Sequence, residues 1–227
     1  MLPDGSRRAQ GLDGEIVARV RDLARRHGVW ILGGTFPERG DDSDRVFNTS
    51  VLVSDEGALA AVYRKIHLFD VDLGDQGGGS FRESATVAPG DEVVVAQTPF
   101  GAVGLSVCYD LRFPELYRAQ SARGARFLTV PAAFARETGR DHWEVLLRAR
   151  AIENLCWVVA PAQVGVHNEK RQSHGETVVI DPWGTVTASR MKGEGVVRAD
   201  IDLARVEEVR RGLPCHDHAR PELFSDA

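Results

Sequence analysis

The segment VGLSVCYDLRFPELYRAQSARGARFLTV, residues 103–130, constrains this chain more than any other. An apolar run ending at Cys108 passes through a turn into a helical stretch and then into a second apolar run. Strands joined through a helix are most easily built as parallel neighbours, because a parallel pair needs a long crossover. An α/β fold with a mixed sheet follows.

The flanking sequence adds elements of both kinds. Ile16, Val20, Leu23 and Ala24 recur at i, i+4, i+7 and i+8, one face of a helix, and Gly28 closes it. Residues 29–36 (VWILGGTF) are too short and too β-prone for a second helix and read as a strand. NTSVLVSDEG and ALAAVYRKI read as two more strands, turned by Asp55, Glu56 and Gly57. Residues 70–90, rich in glycine and polar groups without a period, read as a long surface loop, a place where function often resides. Residues 141–156 read as a helix and WVVAPAQV as a strand. In ETVVIDPWGTVTAS, Pro182 and Gly184 occupy the second and fourth places of a type I turn, which predicts a hairpin. No internal repeat or linker interrupts residues 1–227, so a single domain is expected.

Composition narrows the function classes. With 43% hydrophobic and 27% charged residues, a chain of 227 residues can build an ordinary core. Its net charge of -5 supplies no positive excess for phosphates, so nucleic acid is a poor partner and a small molecule a better one. The N-terminal basic residues have no apolar segment behind them, and no stretch approaches the roughly 18 apolar residues that span a bilayer. A cytoplasmic protein without a membrane partner is expected. Cys108, Cys156 and Cys215 are too few and too irregular for a disulfide framework, so reduced thiols are expected.

A cysteine attacks only as thiolate, and an ordinary thiol near pKa ~8.5 is mostly protonated at neutral pH. A helix starting after Cys108 would aim backbone N–H groups and its positive end at the sulfur. The competing reading is packing: a cysteine ending an apolar run is more often simply buried, and Cys156 and Cys215 keep that reading.

Cys108 differs in its surroundings. GLSVCYDLRFPEL, preceded by YRKIHLFDVD and followed by HWEVLLRARAIEN and HGETVVIDPWGTV, resembles the nitrilase (carbon-nitrogen hydrolase) superfamily in order and spacing. The likeness is greatest to the branch of ω-amidase and the deaminated-glutathione amidases and runs over residues 14–222. The resemblance implies a four-layer α-β-β-α sandwich and a Glu-Lys-Cys constellation that needs no metal or organic cofactor. It implies an amidohydrolase that cleaves a small carboxylated amide to acid and ammonia. Cys108 would form a thioester. Lys65 and the Tyr109 N–H would stabilise the oxyanion. Glu83, in the FRES segment, matches a supporting glutamate that orients the lysine, at a spacing slightly longer than the family's around Gly77 to Gly79. Arg112 and Thr138, the latter in a loop RETG, match positions that would bind a distal carboxylate. Arg112 could instead pair with Asp110 or Glu115. A homodimer or higher homo-oligomer is expected.

The family's general base is a glutamate in a Leu-Pro-Glu segment ending the first strand, and this chain opens at the helix that follows. The resemblance therefore implies a sandwich lacking its first strand, with residues 1–227 an N-terminally incomplete carbon-nitrogen hydrolase domain. Glu15 and Glu38 are the nearest substitutes. Order places Glu38 after the family's second strand, where a Pro-Glu recurs without a catalytic role. The alternative is a catalytically impaired homologue acting as a binding or interaction protein.

Three further patterns bear on the chemistry. Cys215, His216 and His218 lack a distant fourth ligand for zinc, which predicts a solvated tail. His67 and His174 are the candidates for a Cys-His pair. Gly77 to Gly79 lack the Lys and Ser/Thr of a phosphate loop.

Overall fold

The computed structural model describes residues 9–40, 45–74, 79–168, 171–190 and 193–223. Helix α1 (Glu15–His27) ends where Gly28 turns left-handed at φ 61° and donates to the Ala24 carbonyl. Its buried face is Val17 and Ala24 with the partly buried Val20 beside them, while Ile16 and Leu23 stay 36% and 38% exposed. The apolar stripe read from the sequence is thus rotated: a helix lying on one sheet buries a narrow face, and Val17 takes its centre.

After α1 come β1 (Ile31–Leu32), β2 (Phe36–Arg39), β3 (Val46–Val53) and β4 (Leu59–Arg64). The single strand expected over residues 29–36 is two, broken at Gly34, whose φ of 65° leaves the β region. The hairpin at Asp55 to Gly57 is as expected, closed by Ser54 N–H on the Ala58 carbonyl. Residues 70–90 are more ordered than a loop. They form β5 (Asp70–Asp72) and β6 (Ser80–Arg82), paired antiparallel, then a 3-10 turn at Glu83–Ala85 and β7 (Val87–Ala88). Gly77 and Gly78 lie outside the described residues. In the first sheet β3 is the spine, antiparallel to β1, β2 and β4 and parallel to β7.

The second sheet is built from β8 (Val95–Ala96), β9 (Val103–Leu105), β10 (Phe127–Thr129) and β11 (Trp157–Ala160). After a protruding hairpin of β12 (Val164–Asn168) and β13 (Arg171–His174), β14 (Thr177–Ile180) and β15 (Val186–Arg190) complete it in the order β15-β14-β11-β10-β9-β8. β9, β10 and β11 are parallel, as the strand-helix-strand pattern requires. Helices α2 (Pro114–Ala122) and α3 (Arg136–Asn154) supply the crossovers, and α4 (Leu203–Gly212) follows β15. The DPWG turn joins β14 and β15, with Gly184 N–H on the Asp181 carbonyl.

Alternation along β3 assigns the layers. Val51 and Val53 pack with Val17, Ala24 and Phe36, whereas Leu52 joins Tyr63, Leu105, Leu128 and Val158 in the main core. Leu116 and Tyr117 of α2 and Trp143, Leu147 and Ala151 of α3 belong to the same core. The result is the four-layer α-β-β-α sandwich. Each fully buried Val or Leu among them contributes about 1.5–3 kcal/mol. Among the described residues no helix is long and apolar enough to cross a membrane.

Candidate active site

β9 leads through Ser106 and Val107 into a 3-10 turn, Cys108–Arg112, and α2 begins only at Pro114. Cys108 sits at the start of that turn with φ 51°, a left-handed backbone that costs a residue bearing a Cβ and recurs at functional positions. Two backbone contacts hold it: its N–H donates to the Pro131 carbonyl at 3.1 Å, and the Ala133 N–H acts on the sulfur. From behind, the buried Arg150 guanidinium donates twice to the Leu111 carbonyl, at 3.0 and 2.7 Å. Among the described residues the Tyr109 N–H meets no acceptor.

The electrostatics at the thiol differ from the expectation of a helix start. Burial, the largest influence, holds the Cys108 thiol above its ordinary range. Lys65 pulls it down, while Glu83 and Asp110 push it up. A short 3-10 turn carries too few aligned peptides for the dipole of a true helix, so the lowering effect falls chiefly to the lysine.

Lys65 stands one residue beyond β4, where its N–H extends the β3–β4 ladder to the Asn48 carbonyl at 2.9 Å. Its side chain is 2% exposed, and Nζ meets Glu83 Oε2 at 2.5 Å. Glu83, also buried, accepts as well from the Phe69 N–H at 2.7 Å and Asn48 Nδ2 at 3.3 Å. Residues 65, 83 and 108 thus come together from two sheets and the β6–β7 connection.

Arg112 is half-buried. Its guanidinium lies 5.9 Å from the Tyr109 ring centre and 5.3 Å from that of Phe134, and contacts His142 Nδ1 at 3.4 Å. Among the described residues no carboxylate pairs with it, so the pairing with Asp110 or Glu115 does not occur. Thr138 lies in the first turn of α3, not in a loop, because that helix starts at Arg136, well before the expected position. Its hydroxyl donates weakly to the Ala135 carbonyl at 3.5 Å. Arg112's partner His142 lies one helical turn along α3 from Thr138.

The other candidates have structural partners. Glu38 is buried in β2, where Arg64 grips it at 2.7 and 2.9 Å and Thr49 donates at 2.6 Å. Glu15 is exposed at the start of α1. His174 bonds Glu176 at 3.0 Å and His67 bonds Asp110 at 2.8 Å, and neither is among the largest influences on the Cys108 thiol. Cys156 is fully buried. His216 is no free tail residue: it reaches the Ser121 hydroxyl on α2 at 3.5 Å. Among the described residues no group of three or more His, Cys, Asp or Glu could hold a metal ion.

The sequence profile of the Carbon-nitrogen hydrolase family matches residues 5–211. The chain belongs to this family. The human deaminated glutathione amidase is 47% identical over 222 residues, covering 96% of this chain and 67% of that protein. The crystal structure of the Caenorhabditis elegans NitFhit protein superposes with a TM-score of 0.87 at 42% identity, over 94% of this chain and 52% of that one. A mutant amidase from Nesterenkonia sp. AN1, described as showing covalent addition of the acetamide moiety of fluoroacetamide at its active site cysteine, matches with a TM-score of 0.69 at 27% identity, over 88% of this chain and 72% of that one. The chain therefore spans about two thirds of the curated relative and about half of the NitFhit chain. The carbon-nitrogen hydrolase sandwich is the scaffold on which Cys108, Lys65 and Glu83 converge.

Proposed function

We propose that this carbon-nitrogen hydrolase chain is an amidohydrolase acting on small carboxylated amides, with Cys108 as nucleophile. The observation that carries the reading is the Lys65–Glu83 pair beside a cysteine held at positive φ. The sulfur attacks the amide carbon, and the carbonyl electrons move to an oxyanion met by the Lys65 ammonium and the Tyr109 N–H. Collapse expels the nitrogen, which leaves as ammonia once it has taken up the thiol proton. Water then adds to the thioester and releases the acid and the thiol. Glu83 holds Lys65 in place. Because it already accepts three hydrogen bonds, from Lys65, Asn48 and Phe69, it is not assigned the proton transfers.

The substrate's remote carboxylate would meet Arg112, a half-buried cation without a carboxylate partner among the described residues, with Thr138 adding a hydroxyl. Short ω-amido acids and deaminated glutathione-like molecules fit this chemistry, and the human relative's name, deaminated glutathione amidase, supports it.

The test is acid-quench trapping with a short ω-amido acid, followed by peptide mass mapping and an ammonia assay. An acyl group on the Cys108 peptide that disappears in Cys108→Ala is the expected result. Saturable binding without acylation or ammonia would replace this reading with that of a binding or interaction protein.

A further inference from the structure

Asp110 is the most enclosed charged group near the site, fully buried, and the chemistry proposed above does not use it. Its carboxylate accepts four hydrogen bonds. Oδ2 receives the Tyr63 hydroxyl at 2.7 Å and the Val107 N–H at 2.8 Å; Oδ1 receives the His67 N–H at 3.0 Å and ring Nδ1 at 2.8 Å. Tyr63 and His67 stand two residues either side of Lys65, and Val107 immediately precedes Cys108. Aromatic contacts join the same two segments: His67 stacks on Phe113 at 3.6 Å, and Phe69 meets Tyr109 edge-on at 5.0 Å.

We propose that Asp110 is a positioning residue that braces the Lys65-bearing end of β4 against the Cys108 turn, fixing the ammonium relative to the sulfur. A buried carboxylate can satisfy four donors at once, and no neutral side chain of its size accepts as many. Each bond is charge-assisted and strengthened by the dry surroundings. Asp110 thus ties segments from two different sheets at the point where their reactive groups meet. This inference rests on the reading of Cys108 and Lys65 given above.

The charges acting most on the Cys108 sulfur are Lys65, Glu83 and Asp110, and Asp110 acts on it in two opposite senses. As a nearby anion it disfavours the thiolate. As a brace it keeps the lysine, which favours the thiolate, in place. Alkylation of the purified 227-residue chain with iodoacetamide, which forms a carbon–sulfur bond and releases iodide, reports the balance through the pH midpoint of the rate at Cys108.

Lys65→Met should raise that midpoint by about one unit or more. If Asp110 is a brace, Asp110→Asn also raises it while Lys65 is present and lowers it in the Lys65→Met background. A bystander anion gives a lower midpoint in both backgrounds, which overturns the proposal, and the sign with Lys65 present is decisive by itself. Should Asp110→Asn lose its native circular dichroism, Tyr63→Phe takes its place, since it removes one bond and no charge. Its midpoint should rise with Lys65 present and stay unchanged with Lys65→Met; equal shifts in both contradict the brace. Alkylation that maps to Cys156 or Cys215 instead of Cys108 overturns the nucleophile assignment and the brace with it. Cys108 labelling with a falling midpoint overturns the brace alone.

Discussion

The Lys65 ammonium and the Glu83 carboxylate meet at 2.5 Å with both side chains almost entirely withdrawn from solvent. Removing one partner of a buried pair leaves an uncompensated charge, which typically costs about 3–5 kcal/mol. Glu83→Gln should therefore lower unfolding free energy by that order in urea titrations. The double variant Lys65→Met/Glu83→Gln should lose clearly less than the sum of the single losses. Strict additivity would mean that the pair is not coupled.

The Cys108 thiol lies above its ordinary range because burial outweighs the pull of Lys65. Thiolate is therefore scarce at neutral pH, and the alkylation rate of Cys108 should keep rising with pH beyond ~8.5, the midpoint of an unperturbed thiol. A plateau already reached by pH 7 would contradict this electrostatic picture.

Glu38 has a structural part to play. Burial pushes its carboxyl up, but hydrogen bonds from Arg64 and Thr49 and the guanidinium charge together hold it below the usual value. A depressed carboxylate stabilises the fold above the unfolded pKa, and that stability is lost as pH falls through the folded one. Glu38→Gln should cost about 1–2 kcal/mol at pH 7, a modest figure because Arg64 stays partly in water. Melting curves of variant and parent should draw together below about pH 4. Amide turnover, where measured, should be unaffected.

Arg112→Met should selectively weaken the handling of carboxylated amides. A charge-assisted contact of about 1.5–3 kcal/mol corresponds to roughly 10- to 150-fold in specificity. That factor should appear in kcat/KM for an ω-amido acid and be nearly absent for its neutral methyl ester. Equal losses on both would make Arg112 a structural residue.

The fold was largely legible because the pattern around Cys108 demands parallel strands, and β9, β10 and β11 are parallel. The family resemblance named Lys65 and Glu83, which the fold brings into contact. Order within residues 70–90 was not legible, since β5 and β6 are three residues each and no periodicity shows in so short a run. Nor was Asp110, considered only as a possible partner for Arg112. A signal existed: Tyr63, Lys65 and His67 alternate at period two, so three hydrogen-bonding side chains share one face and require polar partners inside. The early start of α3 was not legible because Gly139, buried against His174, weakens the helical pattern there.

The left-handed backbone at Cys108 sets folding and chemistry against each other at a single position. Glycine there would relieve about 1 kcal/mol of backbone strain and abolish the proposed nucleophile. A library of this chain selected only for thermal endurance would therefore drift away from cysteine at position 108, whereas one selected for turnover would hold it and accumulate its stabilising changes elsewhere.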